Sequence, residues 1–599
     1  MKWLSPIRLA AGMLLIGIFG CGRLAVLGAE LELRVTPKFS GEPIQADSIR
    51  YENSARENLS VMRVSFLLSG FALQRPDGSW LELTNDVAWF DLERDRTTHR
   101  LAPVAGGEYR SLRFHVGLDQ TLNHADPAPY PARHPLNPNL NGLHWNWQGG
   151  YIFLAMEGLW RNPSGAIDGW SYHFARDTNR VCVTLPASLS LTNDLRLELD
   201  FDVGSVLNAP RPMSFAAQGS STHSRDGDPV SAAIAANLPG AFRLQRVMSA
   251  AASPVKTIVA KPLYLPEKFT PYRFAMSATF PIPDLPRDNP LTEERVRLGE
   301  KLFHDPRLSK DNSISCASCH DVRHAFADPR RYSIGVRGQV GTRNAMPLFN
   351  LAWKGSFFWD GRAPSLRAQA LMPIQDHLEM AESLTNVVSK LSRGGKGHSP
   401  TNYAAWFTAA FGSPEISVAK ISLALEAFVL TLTSFDSKFD RAFRGEATLT
   451  AAEQRGFELF MTEYDPRRGQ FGADCFHCHG GALFSDHQFH NNGAELNPAD
   501  TGRMRVTGLE SDRGKFSTPS LRNVALTGPY FHDGHFQTLE EVVAHYDHGL
   551  QRTATLDPNL AKHPAEGLHL SPEDQAALVA FLKTLTDEQF REKKSADGR

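Results

Sequence analysis

The sequence predicts two domains of different fold class, a β-sandwich followed by a mainly α-helical domain. In residues 195–203, apolar side chains alternate with charged ones, as in strands that have one face in a core and one in water. In residues 418–432, apolar side chains recur every three or four positions, which indicates one stripe of an amphipathic helix. Between these regions, residues 252–290 are rich in proline and predict an extended arm.

The length of the chain, 599 residues, is too great for one ordinary hydrophobic core. We place an antiparallel β-sandwich in residues 30–250, a proline-rich linker in residues 251–285 and the helical domain in residues 286–599. The 63 basic and 65 acidic side chains nearly cancel, which gives a net charge of −2. Because no overall field attracts nucleic acid or an anionic membrane, neither is an expected partner.

Residues 1–29 have the pattern of an export signal peptide. Lys2 and Arg8 precede the apolar run 9–19, which is too short to span a bilayer. Cleavage before Cys21 would leave a lipid-anchored protein, whereas cleavage near residue 29 would leave a soluble one, and the sequence leaves both open. We therefore expect an exported, periplasmic protein whose only attachment to a membrane would be that lipid.

Four of the six cysteines fall in two copies of one short motif. The copies are Cys316-Ala-Ser-Cys319-His320 and Cys475-Phe-His-Cys478-His479. Cys-x-x-Cys-His is the attachment site of c-type haem, in which two thioethers hold the porphyrin and the histidine ligates iron. The alternative, two disulfides or a zinc site made by four cysteines, does not account for a histidine after each second cysteine. The motifs predict two covalent haems in the helical domain.

A second group of residues lies between the two haem motifs. It consists of Phe358-Trp359-Asp360-Gly361-Arg362, Gln369, Pro373 and Glu379. With the haem motifs, this group resembles the bacterial di-haem cytochrome c peroxidases, and within them the MauG/MbnH branch, over residues 280–590. The resemblance implies that Trp359 couples the two haems, and that Gln369, Pro373 and Glu379 line the pocket where one haem meets hydrogen peroxide. Glu379 would be the acid–base residue, because peroxide must lose a proton from one oxygen and gain one on the other. Without those neighbours, Trp359 would read as a buried aromatic residue and Glu379 as a solvated helix residue.

Two positions separate this chain from the simple peroxidases that it resembles. The resemblance places Tyr546 where the simple peroxidases have an axial methionine on the second haem. A phenolate donates charge to iron, which is typical of the branch that oxidises a protein instead of drawing electrons from a small cytochrome. Val336 follows Ile334-Gly335 where many simple peroxidases have a histidine that blocks the peroxide haem. We therefore expect a permanently open first haem.

The resemblance also assigns metal ligands. His320 would ligate the iron of the first haem, and His479 with Tyr546 the iron of the second. Asn344, Thr527 and Pro529 match positions that hold a calcium ion between the haems through oxygen ligands, which suit a hard cation. We therefore expect calcium beside the two irons.

The predicted β-domain contains an unusual group of indole and imidazole side chains. Trp145 and Trp147 flank a single asparagine, and His124 and His173 lie in neighbouring segments. These segments resemble the MbnP-like copper-binding proteins over residues 31–245. That resemblance implies oxidation of a tryptophan to kynurenine by a di-haem partner, and a copper site built from the new aryl amine with His124 or His173. The alternative is that both tryptophans simply pack on one face of a strand, because residues two apart share a face.

These observations lead to three hypotheses about function. The first is a peroxide-dependent di-haem oxidase that oxidises a tryptophan of its own N-terminal domain to kynurenine and so builds a copper site. The second is a periplasmic di-haem cytochrome c peroxidase that reduces hydrogen peroxide with electrons from a small cytochrome, against which Tyr546 and Val336 argue. The third is an electron-transfer and copper-storage protein whose haems do not react with peroxide. The sequence leaves open which tryptophan reacts, and whether it reacts within one chain.

Overall fold

The computed structural model describes residues 28–46, 49–145, 149–250, 263–393 and 402–590. Residues 1–27 of the predicted export signal, which include Cys21, lie outside the described residues, as do the candidate Trp147 and residues 251–262 of the predicted linker. Among the helices of these ranges, none is both long enough and apolar enough to cross a bilayer.

The N-terminal part of the described chain is built from strands in two sheets. The strands are β1 (Leu31–Phe39), β2 (Glu42–Pro43), β3 (Tyr51–Glu52), β4 (Asn58–Leu59), β5 (Arg63–Gln74), β6 (Trp80–Asp91), β7 (Thr98–Arg100), β8 (Gly107–Val116), β9 (His144–Trp145), β10 (Gly150–Arg161), β11 (Ile167–Ala175), β12 (Val181–Leu191), β13 (Leu195–Asp202), β14 (Ser221–Thr222) and β15 (Phe242–Ser249). One sheet has the order β15-β13-β1-β2, with β7 beside β1. The other has the order β12-β8-β5-β10-β11-β14, with β4 and β9 beside β10, β3 beside β4, and β6 beside β5.

The predicted β-rich class of this domain is confirmed, with one difference in strand direction. β1 runs parallel to β13, and β11 runs parallel to β14, whereas the other pairings are antiparallel. Parallel neighbours need a long crossover, and nearly the whole second sheet lies between β1 and β13 in the chain. The two sheets pack face to face through aromatic side chains: the ring of Phe66 lies 4.8 Å from that of Phe201 and 5.9 Å from that of Phe242.

The β-domain also contains helices between its strands, namely α1 (Gln120–Asn123), α2 (Pro138–Asn141), α3 (Val203–Asn208), α4 (Phe215–Gln218) and α5 (Pro229–Ala241).

The C-terminal part is mainly helical. The helical domain contains α6 (Glu293–Phe303), α7 (Leu366–Gln375), α8 (Leu384–Arg393), α9 (Tyr403–Phe411), α10 (Val418–Leu430), α11 (Lys438–Phe443), α12 (Ala451–Phe460), α13 (Phe476–His479), α14 (Met504–Thr507), α15 (Leu539–Ala544), α16 (Pro558–Ala561) and α17 (Pro572–Thr584). Two short strand pairs join them, β16 (Tyr464–Asp465) with β17 (Gln470–Phe471), and β18 (Phe489–His490) with β19 (Phe516–Ser517).

The helical domain has two hydrophobic cores, and one haem motif lies beside each. In the first, a side chain on Gly299 of α6 would meet the carbonyl oxygen of Ala424 in α10 at 2.0 Å. In the second, a side chain on Gly456 of α12 would meet the carbonyl oxygen of Ala577 in α17 at 1.9 Å. Each core is therefore formed around a helix pair that only glycine lets approach so closely. The stripe predicted in residues 418–432 lies on α10, which is in fact buried on every side from Lys420 to Leu430.

The two domains contact each other directly. A side chain on Gly169 of β11 would meet the carbonyl oxygen of Pro558 at 1.8 Å, so the backbones of β11 and α16 touch. The amide nitrogen of Asn559 donates to Glu157 at 3.1 Å, across the same interface. The proline-rich segment follows the surface as an arm, and its Pro281 carbonyl accepts the indole N–H of Trp353 at 2.6 Å. The β-domain is thus held against the second half of the helical domain.

Candidate functional site

The first haem motif lies in the wall of a cavity of about 640 Å³. A 3₁₀ turn, Cys316–Ser318, places the two cysteines three apart on one side, and all three motif side chains line the cavity. Nδ1 of His320 lies 2.8 Å from the carbonyl oxygen of Phe326, so it carries the proton and Nε2 is left for iron. The donor set of Cys316, Cys319 and His320 fits a covalent c-type haem.

Gln369, Pro373 and Glu379 line the same cavity as His320. Gln369 and Pro373 are four residues apart on α7, so they share a face of that helix, which Ser365 caps at its start. Burial, and after it the neighbouring charge of Asp376, raises the pKa of Glu379 to about 7. A carboxyl group that titrates near neutral pH can both accept and return a proton, which is the task predicted for it.

The loop after Gly335 approaches this pocket from the other side. Val336 is 2% exposed, and its amide donates to the carbonyl oxygen of Glu379 at 2.8 Å. The loop is therefore fixed to the wall of the cavity beside Glu379. At position 336 it carries a hydrocarbon side chain, which has no atom that can ligate iron.

Trp359 lies between the residues around the first haem motif and those around the second. It lines the first cavity, is 8% exposed, and donates its indole N–H to the carbonyl oxygen of Asn344 at 2.9 Å. Its own carbonyl accepts the amide of Ser517 at 2.8 Å. Ser517 is in β19, which pairs with β18, where His490 interacts with Cys478 of the second motif. Trp359 therefore connects the first cavity to the second haem motif.

The three predicted calcium positions lie on two segments that meet. The side-chain amide of Asn344 donates to the carbonyl oxygen of Arg331 at 3.3 Å. A side chain on Gly534 would lie 3.0 Å from that same oxygen and 3.2 Å from Pro529, and Thr527 is two residues before Pro529. The carbonyl oxygen of Arg331 therefore lies close to both segments, and carbonyl oxygens are ligands that suit calcium.

The second haem motif is on α13, and Tyr546 lies beside it. Nδ1 of His479 is 3.1 Å from the carbonyl oxygen of Phe484, which leaves Nε2 for iron. Helix α15 continues as a π-helical turn, His545–Gly549, which carries Tyr546 close to Cys475 and Cys478. Burial, and after it the nearby Cys478, raises the pKa of the Tyr546 phenol. A phenolate at this position therefore needs a cation such as iron.

Replacing Tyr546 by Phe is expected to open the iron of the second haem. The oxidised protein should lose its low-spin ferric signal and gain a second high-spin signal, because Phe removes the predicted axial ligand while it keeps the ring volume. Electron paramagnetic resonance measures both species. Tyr530→Phe is the matched control, since the Tyr530 hydroxyl donates to the carbonyl oxygen of Val524 at 3.0 Å. A low-spin signal that persists in Tyr546→Phe would place the ligand on another residue.

Of the residues predicted for copper, the structure brings Trp145 and His173 together. Trp145 is 7% exposed, and its ring lies 6.2 Å from that of His173 and 5.2 Å from that of His223. His124 lies apart from them: its side chain is 48% exposed and binds an aspartate at 2.9 Å and a backbone carbonyl at 2.6 Å. Trp147 lies outside the described residues.

Two imidazoles that the sequence analysis missed complete this site. His223 follows β14, and its ring lies 5.3 Å from that of His477 and 6.0 Å from that of Phe476. His477 and Phe476 are the two variable residues of the second haem motif. Trp145, His223 and the haem-attachment helix are therefore joined by a series of tilted aromatic contacts across the domain interface. The additional histidine inside the motif was the only sign of it in the sequence.

Three protein-family models match the chain. Residues 28–224 match the MbnP model, residues 293–448 match the model of di-haem cytochrome c peroxidase, and residues 454–586 match that of cytochrome c. The first match covers most of the β-domain. The second and third each contain one haem-attachment motif.

Known proteins resemble the helical domain over most of their own length. The methylamine utilization protein MauG of Methylorubrum extorquens is 38% identical over 320 residues, which is 52% of this chain and 85% of that protein. Cytochrome c551 peroxidase of Pseudomonas aeruginosa is 35% identical over 316 residues, 51% of this chain and 82% of that protein. A solved structure, of a MauG-like protein associated with microbial copper homeostasis, is 36% identical and covers 53% of this chain and 97% of its own, with a TM-score of 0.47. The chain belongs to the di-haem cytochrome c peroxidase/MauG family and carries an MbnP domain fused before its haem region.

Proposed function

We propose that the chain is a peroxide-dependent oxidase that converts Trp145 of its own MbnP domain into kynurenine. One observation carries this proposal: the ring of Trp145 lies 5.2 Å from that of His223, which in turn contacts Phe476 and His477 of the second haem motif. The fold of one chain holds the target beside the haem-attachment helix, so no encounter between two proteins is needed.

The overall reaction balances with hydrogen peroxide as the only oxidant. Membership of the family implies two covalent haems, which when bound supply the reduction of peroxide to water and pass on its oxidising equivalents. Conversion of tryptophan to kynurenine removes four electrons, adds oxygen to the opened ring and releases one carbon as formate. Two molecules of peroxide accept these electrons, so tryptophan and two peroxides give kynurenine, formate and one water.

The residues of the first cavity divide this work. Glu379 takes the proton from one peroxide oxygen and returns it to the other, for which a pKa of about 7 is suited. Gln369 presents an amide to the bound peroxide, and Pro373 keeps the wall of the pocket apolar and free of a competing N–H. Trp359, which is joined to β19 through Ser517, would couple the two haems electronically when they are bound.

Kynurenine would give Trp145 a metal-binding role. The aryl amine and ketone of kynurenine are donors that indole lacks, and they would form beside His173 and His223. The match to the MbnP model supports copper as the metal. The proposal also includes a calcium ion near Asn344 and export of the chain to the periplasm.

Peptide mapping after peroxide treatment tests the proposal. The peptide that contains Trp145 should gain about 4 Da, because kynurenine has one carbon less and one oxygen more than tryptophan and the same number of hydrogens. Trp89 and Trp170, which are 1% and 0% exposed in the β-domain core, should stay unmodified and serve as internal controls. The proposal is wrong if active enzyme leaves Trp145 intact, or if Trp145→Phe gains the same mass elsewhere in the domain.

A mixing experiment distinguishes oxidation within a chain from oxidation between chains. Inactive Glu379→Gln keeps Trp145, and active Trp145→Phe keeps the haem site. If oxidation takes place within one chain, the mixture with peroxide should contain no kynurenine. Peroxide consumption that depends on an added reduced cytochrome, with Trp145 unchanged, would instead favour a plain cytochrome c peroxidase, as the relative in Pseudomonas aeruginosa is named.

A further inference from the structure

Three buried imidazoles converge where the two domains meet. They are His173 of β11, His223 after β14, and His477 of the second haem motif, and one ring nitrogen of each lies within 4.8 Å of the others. Nδ1 of His173 and Nε2 of His223 are 3.2 Å apart, and Nε2 of His223 and Nε2 of His477 are also 3.2 Å apart. The three side chains are only 3–4% exposed.

In each imidazole, the outer nitrogen, which is the ring nitrogen that faces away from the other two rings, lies next to a carboxylate. The three pairs are His173 Nε2 with Glu157 at 2.9 Å, His223 Nδ1 with Glu463 at 2.7 Å, and His477 Nδ1 with Asp474 at 2.8 Å. Glu157 accepts the Nε2–H of His173, and the close carboxylates of Glu463 and Asp474 favour the proton on Nδ1 of His223 and His477. The inner nitrogen of each neutral ring then presents a lone pair toward the other two. Three lone pairs this close repel one another unless a cation lies between them. Outer carboxylates of this kind are the usual support of histidine ligands in metal sites.

The charged side chains around the three imidazoles carry a net negative charge, which favours a cation between the rings. Three carboxylates face the imidazoles, and two cations face the carboxylates: Arg63 is 2.7 Å from Glu157, and Lys562 is 3.1 Å from Glu463. Each outer carboxylate favours a proton on the outer ring nitrogen, and a neutral ring then keeps its inner nitrogen as a ligand atom. With neutral imidazoles, the three negative and two positive groups leave one negative charge, which a monovalent metal ion would cancel.

We infer that His173, His223 and His477 form a copper site across the domain interface, with the third ligand supplied by the haem-attachment motif itself. Imidazole nitrogens suit copper, and a three-nitrogen site with a single compensating charge favours its monovalent state. Trp145 packs against two of the ligands and lines a cavity of about 100 Å³ that reaches His173 and His477. The site shares His173 and His223 with the copper site of the proposed function and adds His477. It needs no kynurenine, so the inference does not rest on the oxidation of Trp145.

Ligation by His477 would have two consequences. The metal would tie the two domains together, so copper should stabilise their docked arrangement by mass action. His477 is also bonded directly to Cys478, one of the thioether positions of the second haem. A change in the oxidation state of the metal would therefore be felt by that haem through a short covalent path.

The test uses the protein with both haems, before any peroxide, with Trp145 shown intact by mass. Competition with a copper(I) chelator measures affinity, and X-ray absorption counts the imidazole ligands. His477→Gln should lower copper(I) affinity at least about tenfold and reduce three imidazoles to two. The substituted position is a variable one of the motif, so the haem content should stay unchanged. His124→Gln, on the surface, is the control and should bind copper as the parent does.

Further variants test the other ligands and separate this site from the oxidation of Trp145. His173→Gln should weaken copper as His477→Gln does, and Asp474→Asn should weaken it about 10- to 100-fold through the orientation of His477. The inference is overturned if both glutamine variants bind copper as tightly as the parent, or if the parent site contains two imidazoles. Trp145→Phe should retain this copper binding, so failure of tryptophan oxidation and failure of the interdomain site give different results.

Discussion

Replacing Glu379 by Gln is expected to slow the reaction with hydrogen peroxide by about 100- to 10,000-fold. Glutamine keeps the size of the side chain but can neither accept a proton from one peroxide oxygen nor return it to the other. Stopped-flow absorbance of the haems with excess peroxide measures this rate. Trp145 oxidation should fall in proportion, because it depends on the same peroxide step.

The pH dependence of the peroxide reaction rate tests whether the Glu379 carboxyl group is responsible for this loss. Since burial and then Asp376 raise the pKa of Glu379 to about 7, the parent rate should rise as pH increases through 7 and level off above it. Below that pH the carboxyl is protonated and cannot act as a base. Asp376→Asn should move the midpoint to lower pH without abolishing the reaction, and Glu379→Gln should have lost the midpoint.

Glu300→Gln is the matched control for the loss of one acidic side chain, because Glu300 is exposed on α6. Its peroxide rate and its pH profile should equal those of the parent enzyme. The assignment of Glu379 fails if Glu379→Gln reacts within a few-fold of this control, or if its rate keeps the midpoint near pH 7.

The sequence predicted the residues that attach the haems more completely than it predicted the tertiary arrangement of the strands and helices. Both haem motifs were evident because five residues of fixed spacing carry the whole attachment chemistry. The alternation in residues 195–203 likewise predicted β13. In contrast, the parallel pairing of β1 with β13 depends on a crossover of more than 150 residues, which no local pattern encodes. The burial of α10 on every side depends on α6, α7 and the surrounding chain, not on its own periodicity.

The interdomain site could not be predicted for the same reason. His173 and His223 are 50 residues apart and are brought together by the fold of the β-domain, whereas His477 is 254 residues from His223 and reaches it only through the docking of the two domains. The prediction offered His124 or His173 as the imidazole partner of the tryptophans. The structure places His173 beside Trp145, whereas the side chain of His124 is half exposed and bound to an aspartate. A local pattern therefore indicated Trp145 as a candidate, but the side chains that surround Trp145 are set by tertiary structure.

Replacing Lys562 by Met is expected to destabilise the protein by about 3–5 kcal/mol, the largest stability effect we predict. The Lys562 ammonium is 5% exposed and lies 3.1 Å from Glu463 and 3.6 Å from Asp474, both of them buried. Methionine keeps the length of the side chain but leaves two carboxylates without their cation. Burial opposes the charge of Lys562, but the two carboxylates outweigh it and raise its pKa. Its contribution is therefore present at neutral pH and is lost only as pH rises through that raised value.

Urea unfolding followed by haem absorbance measures this loss, and Lys583→Met provides the control. Lys583 pairs with Glu540 at 3.4 Å, but the two side chains are 54% and 63% exposed, so that pair should contribute at most about 1 kcal/mol. Equal midpoints for the two variants would mean that the buried carboxylates do not need Lys562. If they do need it, adding Glu463→Gln to Lys562→Met should cost less than the sum of the single changes, because it removes one of the two uncompensated charges. That coupling would show that Lys562 stabilises this region by balancing the charges of Glu463 and Asp474, and not only by the packing of its neighbour α16.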